Sequence, residues 1–353
     1  MLLEEGSLVL ASLLTPLPAH ADDVSEPDHS GWSLYLDNDL LVPTPRDQDY
    51  TGGFSLTQAG RAAATGLSLD PLLGAINTAL GMPDEDPASG LLHLHARQLG
   101  VAIFTPGDME VDDITLGDRP YSSMAYMAST RLQLDPRHPD TVHQSTLTVG
   151  ILGLEVLADL QQEFHRTIGS TRPVGWEHQI SNGGEPTFRY SHAVQHLAAS
   201  GTLGTLRYEV KPSGEAGVGF ITDANAAISV RIGRISTPWW SFAPDRSEYF
   251  SQPSTGLTRR PTDHTRERYG WAGAKAKLRP WNSFLQGQFR HSDLTYRSNE
   301  VRPLLLDTWA GVTVQVSRDY WLSWVLRYQT SELRNGAGDR NLLWGSVFIN
   351  RYY

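Results

Sequence analysis

The sequence predicts an all-β chain, an antiparallel β-barrel of about twelve strands that spans a membrane and carries a short helix in one outward-facing loop. Three observations lead there: strict alternation near the C-terminus, a composition rich in aromatic residues and glycine, and no segment able to cross a bilayer as a helix. The alternation is clearest where Tyr320, Leu322, Trp324, Leu326 and Tyr328 share one face and Ser323, Arg327 and Gln329 share the other. Apolar outward and polar inward, with rings at both ends, is what a strand between lipid and a polar lumen requires. Just before it, Ala310, Val312, Val314 and Val316 oppose Gly311, Thr313 and Gln315, and Ser317-Arg318-Asp319 joins the two as a hairpin.

Segments of similar length recur at 32–40, 50–59, 91–104, 120–133, 142–154, 185–198, 206–221, 225–235, 268–279 and 341–353, which with the hairpin makes about twelve. An even number suits closure. The last segment ends in Phe348, Tyr352 and Tyr353, like the aromatic-ended final strand of outer-membrane proteins. A soluble β-sandwich alternates as well, but it accounts neither for that aromatic end nor for the N-terminus.

The 353 residues include 10 Trp, 13 Tyr, 10 Phe and 32 Gly, with no Cys and a net charge of -10. Without cysteine there is no disulfide framework, so a large core or a closed sheet must hold the chain. The acidic balance argues against a nucleic-acid partner. A mean hydropathy of -0.33 and the lack of any run of about 18 apolar residues exclude a helical membrane protein. At the N-terminus the apolar Leu8–Leu14 precedes Ala19-His20-Ala21, which reads as a signal peptide over 1–21 and leaves 22–353 for the barrel. The leading Met1-Leu2-Leu3-Glu4-Glu5 lacks the basic residues such a signal normally carries.

Two segments break the strand pattern. Within 61–90, Leu72, Leu73, Ile76 and Leu80 lie at helical spacing between Pro71 and Pro83. Over 154–169 an apolar stripe of Leu157, Leu160, Phe164 and Ile168 ends at Gly169, and the other face carries Gln161 and His165, one turn apart. If both chain ends lie on one side, odd-numbered strands run outward. The outward connections then hold Asp39 to Tyr50, Thr105 to Arg119, the helix with His165, and Phe284-Leu285-Gln286-Gly287. The long 236–267 connection falls on the opposite side, where turns are usually short.

At the top of the first strand Asp37-Asn38-Asp39 faces Asp49-Tyr50-Thr51 at the start of the second. Oxygen donors grouped this way suit a hard cation such as Ca²⁺, although solvated loop residues look the same. Trp32, Leu34 and Leu36 point to lipid, so Asn38 continues the outer face and Asp39 the inner one. The helix, with its apolar stripe against that wall, would bring His165 over the same spot as a general base; a lone helical histidine is as readily structural.

These residues together resemble the lipid A 3′-O-deacylases of the outer membrane. The resemblance rests on Asn38-Asp39, Asp49-Tyr50-Thr51-Gly52, Gly117-Asp118-Arg119-Pro120-Tyr121, Gln161 with His165 and Gly169, and Gly175-Trp176 followed by Gln179, in order over 30–353. It implies a twelve-stranded barrel and calcium-dependent ester hydrolysis. It further implies that His165 deprotonates the attacking water, that Asn38 orients the oxyanion, and that Asp39, with Asn38 and Thr51, holds Ca²⁺. Thr51 and Gln161 would complete the surroundings of that centre. Arg119, Tyr121 and Trp176 would contact the substrate, lipid A or lipopolysaccharide of the outer leaflet, in a monomer embedded in the outer membrane. In place of the glutamate expected after the helix stands Ser170-Thr171-Arg172, and the acidic Asp108, Glu110, Asp112 and Asp113 stand where a phosphate-gripping basic pair is expected.

Two rivals remain at this stage. An outer-membrane phospholipase A would use a His/Ser pair with an Asn. His143-Gln144-Ser145 lies at the wrong end of its strand for this role, and His178 to Ser181 has one residue too many between them. The other rival is a non-catalytic barrel whose polar cluster binds only a structural ion.

Overall fold

In the computed structural model, residues 25–38, 41–42, 49–82, 90–169, 171–246 and 266–353 are described. The expected signal peptide and Asp39 lie outside them. The strands are β1 (Gly31–Asn38), β2 (Asp49–Ala59), β3 (Leu92–Thr105), β4 (Ser122–Leu134), β5 (Thr141–Leu152), β6 (Glu185–His196), β7 (Ala199–Leu203), β8 (Leu206–Gly219), β9 (Ile221–Arg234), β10 (Arg268–Asn282), β11 (Leu304–Gln315), β12 (Tyr320–Gln329) and β13 (Leu342–Tyr352). Three helices join them: α1 (Asp70–Ala79), α2 (Glu155–Ile168) and α3 (Ser283–Gln286).

All described strands belong to one antiparallel sheet, in which β1 pairs with β13 and β6 with β8. β7 continues β6 against the start of β8, so the thirteen segments build a closed barrel of twelve staves. Closure satisfies the backbone of each stave without leaving an edge, the condition for a sheet to span lipid. The Tyr353 amide donates to the Ser30 carbonyl, so the chain returns to the end at which it enters the barrel. That terminal end carries α1, and the opposite end, called the site end, carries α2 and α3.

The alternation read from the sequence holds. In β12, Trp321, Ser323, Val325, Arg327 and Gln329 are buried while Leu322 and Trp324 are exposed. The lumen is filled by charge pairs: Arg231 Nε meets Glu209 at 2.6 Å, Lys277 Nζ meets Asp307 at 2.8 Å, and Arg279 Nη1 meets Glu332 at 2.9 Å. Each member balances a charge that would be costly to leave alone away from water.

The long connection after β9 departs from the expected short turn for a visible reason. Its described part, 235–246, folds back into the lumen as a plug. The Arg231 guanidinium lies 5.2 Å over the Phe242 ring, Lys275 Nζ donates to the Asp245 carbonyl at 3.1 Å, and Arg327 Nη2 donates to the Pro244 carbonyl at 3.1 Å. Ser213 Oγ donates to the Asp245 carboxylate at 2.5 Å.

Candidate functional site

The site end of the wall is shaped by a bulge. Pairing of β2 with β3 slips between Tyr50 and Gly52, leaving Thr51 out of the ladder. Tyr50 and Phe104 point into the lumen core, so Thr51 and Thr105 point outward. Their hydroxyls meet at 3.1 Å, Thr51 Oγ1 donates to the Ile103 carbonyl at 3.5 Å, and Asn38 Nδ2 donates to the Thr51 carbonyl at 2.9 Å. The expected proximity of Asn38 and Thr51 is thus a direct hydrogen bond.

Although outward-facing, Thr51, Ile103 and Thr105 are buried, and α2 and the 3₁₀ turn Trp176–His178 cover Ile103. Ala158 of α2 packs with Ile103, Tyr121 and Trp176. Gln161 and His165 follow Ala158 at three and seven residues, hence on the same face, and both are buried. Of the apolar stripe expected to face the wall, Leu157 is buried there as expected, while Leu160 is 57% exposed, with Val156 62% exposed beside it. Gln161 and His165 therefore share the docked face with Leu157, and beside lipid an exposed Leu160 costs little.

His165 Nδ1 lies 2.6 Å from the Thr171 carbonyl oxygen. A carbonyl only accepts, so Nδ1 carries a proton, and Nε2 is the ring atom left to exchange one. The segment standing in place of the expected glutamate therefore supplies a backbone oxygen that fixes the histidine's tautomer. Gly169 ends α2 at φ 71°, the left-handed conformation that turns the chain back toward His165. Gln161 Oε1 is buried with no hydrogen-bond partner, and so is Trp176 Nε1.

Of the three residues expected to touch substrate, Tyr121 and Trp176 stack on the outer wall with ring centroids 4.7 Å apart. Their approach needs Gly175, where a Cβ would come within 2.9 Å of both the Tyr121 ring and the Val111 carbonyl. Arg119 turns the other way, into the lumen mouth, over the Phe104 ring at 5.0 Å and paired with Glu332. Burial alone would raise Glu332, but Arg119, Arg279 and Lys277 bring its carboxyl down to about 2. Asp49 joins this cluster through Arg340 at 2.8 Å, away from the outer wall.

The structure thus brings Asn38 to Thr51 and Gln161 to His165, and the elements carrying these pairs meet where Ile103 packs with Ala158. No three His, Asp or Glu side chains converge among the described residues, and Asp39 lies outside them. Sequence reasoning missed Ile103, Thr105 and Thr171. The first two were legible as the outward phase of Val101, Ile103 and Thr105; Thr171 acts through its backbone and leaves no side-chain signal.

A family model described as outer membrane protein LpxR matches residues 8–353. The chain belongs to the LpxR family. The solved structure of LpxR from Salmonella typhimurium superposes with a TM-score of 0.69 at 16% identity, covering 92% of this chain and 100% of that one. At that identity the likeness establishes the fold, a twelve-stranded barrel. The β domain of the Bordetella autotransporter BrkA aligns at 10% identity and a TM-score of 0.43, over 92% of this chain and 99% of that one. No curated protein matches the chain.

Proposed function

We propose that this LpxR-family member is an outer-membrane lipid A deacylase that removes the 3′-linked acyloxyacyl chain, at a site facing the outer leaflet. Family membership supports the deacylase class. The observation that supports the mechanism is His165, buried on the wall side of α2 with Nδ1 held by the Thr171 carbonyl, so that Nε2 is the ring atom that would take a proton. His165 Nε2 takes a proton from water, and the water oxygen attacks the ester carbonyl carbon. The protonated ring then gives its proton to the departing alkoxide as the acyl C–O bond breaks. Asn38 Nδ2 donates to the Thr51 carbonyl, and this amide would turn toward the oxyanion as charge develops there.

The donor set fits Ca²⁺, a hard cation that takes oxygen ligands. Asn38, Asp39 and Thr51 would hold it, and the partnerless Gln161 Oε1, buried on the wall side of α2, would add an oxygen. Bound there, the ion would supply positive charge to an oxygen that gains negative charge. Tyr121 and Trp176 are buried against Ala158 and would brace α2 beside the acyl chain, and Arg119, anchored by Glu332, sets the loop that carries Tyr121.

The test is mass spectrometry of lipid A from cells expressing the wild type, with calcium or with a chelator. Loss of the 3′ acyloxyacyl group only when calcium is present is expected. Lipid A left intact by a correctly assembled wild-type barrel in calcium would sink the reading.

A further inference from the structure

On the outer wall near the terminal end, β5 and β6 place Ser145 directly opposite His192. Gln144, Thr146, Ser191 and Ala193 are buried on the lumen side, so Ser145 and His192 point outward. Ser145 Oγ and His192 Nδ1 are 3.0 Å apart, and His192 Nε2 lies 3.4 Å from His143 Nδ1, with the two rings stacked at 5.5 Å. The distances fit His192 Nδ1 as donor or as acceptor toward Ser145 Oγ, and the serine is activated in the second case. There Ser145 O–H donates to His192 Nδ1, His192 Nε2–H donates to His143 Nδ1, and the exposed His143 keeps its proton on Nε2. The Ser145 hydroxyl is buried and also meets Tyr190 and the Met82 thioether, the latter at 3.6 Å and a much weaker acceptor.

A hydroxyl held by a base that is itself oriented by a third group is an activated nucleophile. Its surroundings fit an amphiphilic ester. Val149, Phe188 and Val194 lie exposed on the same two strands and give an apolar floor. Tyr190 Oη donates to Asn77 Oδ1 at 3.0 Å, and the amide so fixed would supply an N–H to an oxyanion.

We propose that Ser145, His192 and His143 form a second site, a serine ester hydrolase acting on glycerophospholipids at the membrane interface opposite α2. Ser145 Oγ bonds to the ester carbonyl carbon while its proton passes to His192 Nδ1. The acyl C–O bond breaks, and His192 returns the proton to the leaving glycerol oxygen. Water then attacks the acyl-serine, its proton goes to His192, and the fatty acid departs as Ser145 recovers the proton. Met82, a flexible side chain, moves off the hydroxyl as substrate enters.

The test treats the full-length barrel, in vesicles of diacyl phosphatidylethanolamine, with a fluorophosphonate probe and assays fatty-acid release in parallel. The expected result is a probe adduct on the Ser145 peptide that persists when calcium is chelated, and fatty-acid release that Ser145→Ala abolishes. His192→Ala is expected to slow adduct formation by about 100-fold or more while the barrel still migrates as folded on unheated gels. Absence of the adduct in the wild type, equal labelling in folded His192→Ala, or an adduct without Ser145-dependent fatty-acid release each overturns the proposal.

Discussion

α1 and α2 lie against the outside of the same stretch of wall, at opposite ends of the barrel, and both turn a polar face inward. α1 meets β4 through Arg131, whose guanidinium grips Asp70 with two contacts of 2.7 Å, while His95 Nδ1 meets Glu26 at 2.7 Å. α2 meets the wall at Ile103, next to a Gln161 oxygen and a Trp176 N–H that have no partner. Both helices expose leucines on the far side, Leu72 and Leu80 on α1 and Leu160 on α2. From Ser123 to Arg131 the wall strand runs about 27 Å, or about 20 Å in height at a barrel tilt of about 40°. The two helices therefore bracket the apolar band. The difference between them lies in satisfaction: a polar contact with all its bonds made holds structure together, and one with atoms left over has capacity for a ligand.

Four measurements break or sharpen this contrast. The largest effect is expected from His165→Ala, a loss of about 10²- to 10⁴-fold in lipid A deacylation with the barrel intact; retention of activity would remove α2's claim to chemistry. Asp70→Ala leaves Arg131 buried without its carboxylate and is expected to cost about 3 kcal/mol in urea unfolding followed by tryptophan fluorescence. Its deacylation per folded molecule should stay at the wild-type level, and a fall would mean that α1 is not purely structural. Gln161→Leu, which replaces the partnerless oxygen with carbon, is expected to raise the calcium concentration needed for half-maximal activity by about 10- to 100-fold at little cost in stability. The smallest effect belongs to Leu160→Arg, about 1 kcal/mol or less, because charge is tolerated near the interface of a barrel.

Acid tests the lumen beneath α2. Glu332 sits well below its unfolded value of about 4.3, so its stabilisation is complete above that pH and is lost as pH falls toward 2. The unfolding midpoint should drop across that window and do so less in Glu332→Gln. A flat profile in the wild type would show that the ion cluster at the lumen mouth contributes little.

The staves were readable because one face of each meets lipid and the other a polar lumen, so Tyr320 to Gln329 declares its orientation residue by residue. The plug was not readable. Phe242, Pro244 and Asp245 are recognised by lumen charges from distant strands, largely through backbone carbonyls, and no local periodicity records that. The stripe on α2 divides, Leu157 packing against protein and Leu160 facing outward, because beside lipid an apolar side chain is under no pressure to be buried. Strand phase placed Asn38 on the outer face and the family resemblance singled out Thr51, whereas the partner of His165 is a main-chain oxygen that any residue at 171 supplies.

The filled lumen has an electrical consequence. A ring of strands of this size, with charges lining its interior, has the makings of an ion channel, yet Arg231, Lys277 and Arg279 are each committed to a carboxylate and the plug occupies the space between them. In a planar bilayer the protein should carry no measurable current. A cell can then hold many copies without short-circuiting the barrier in which they sit.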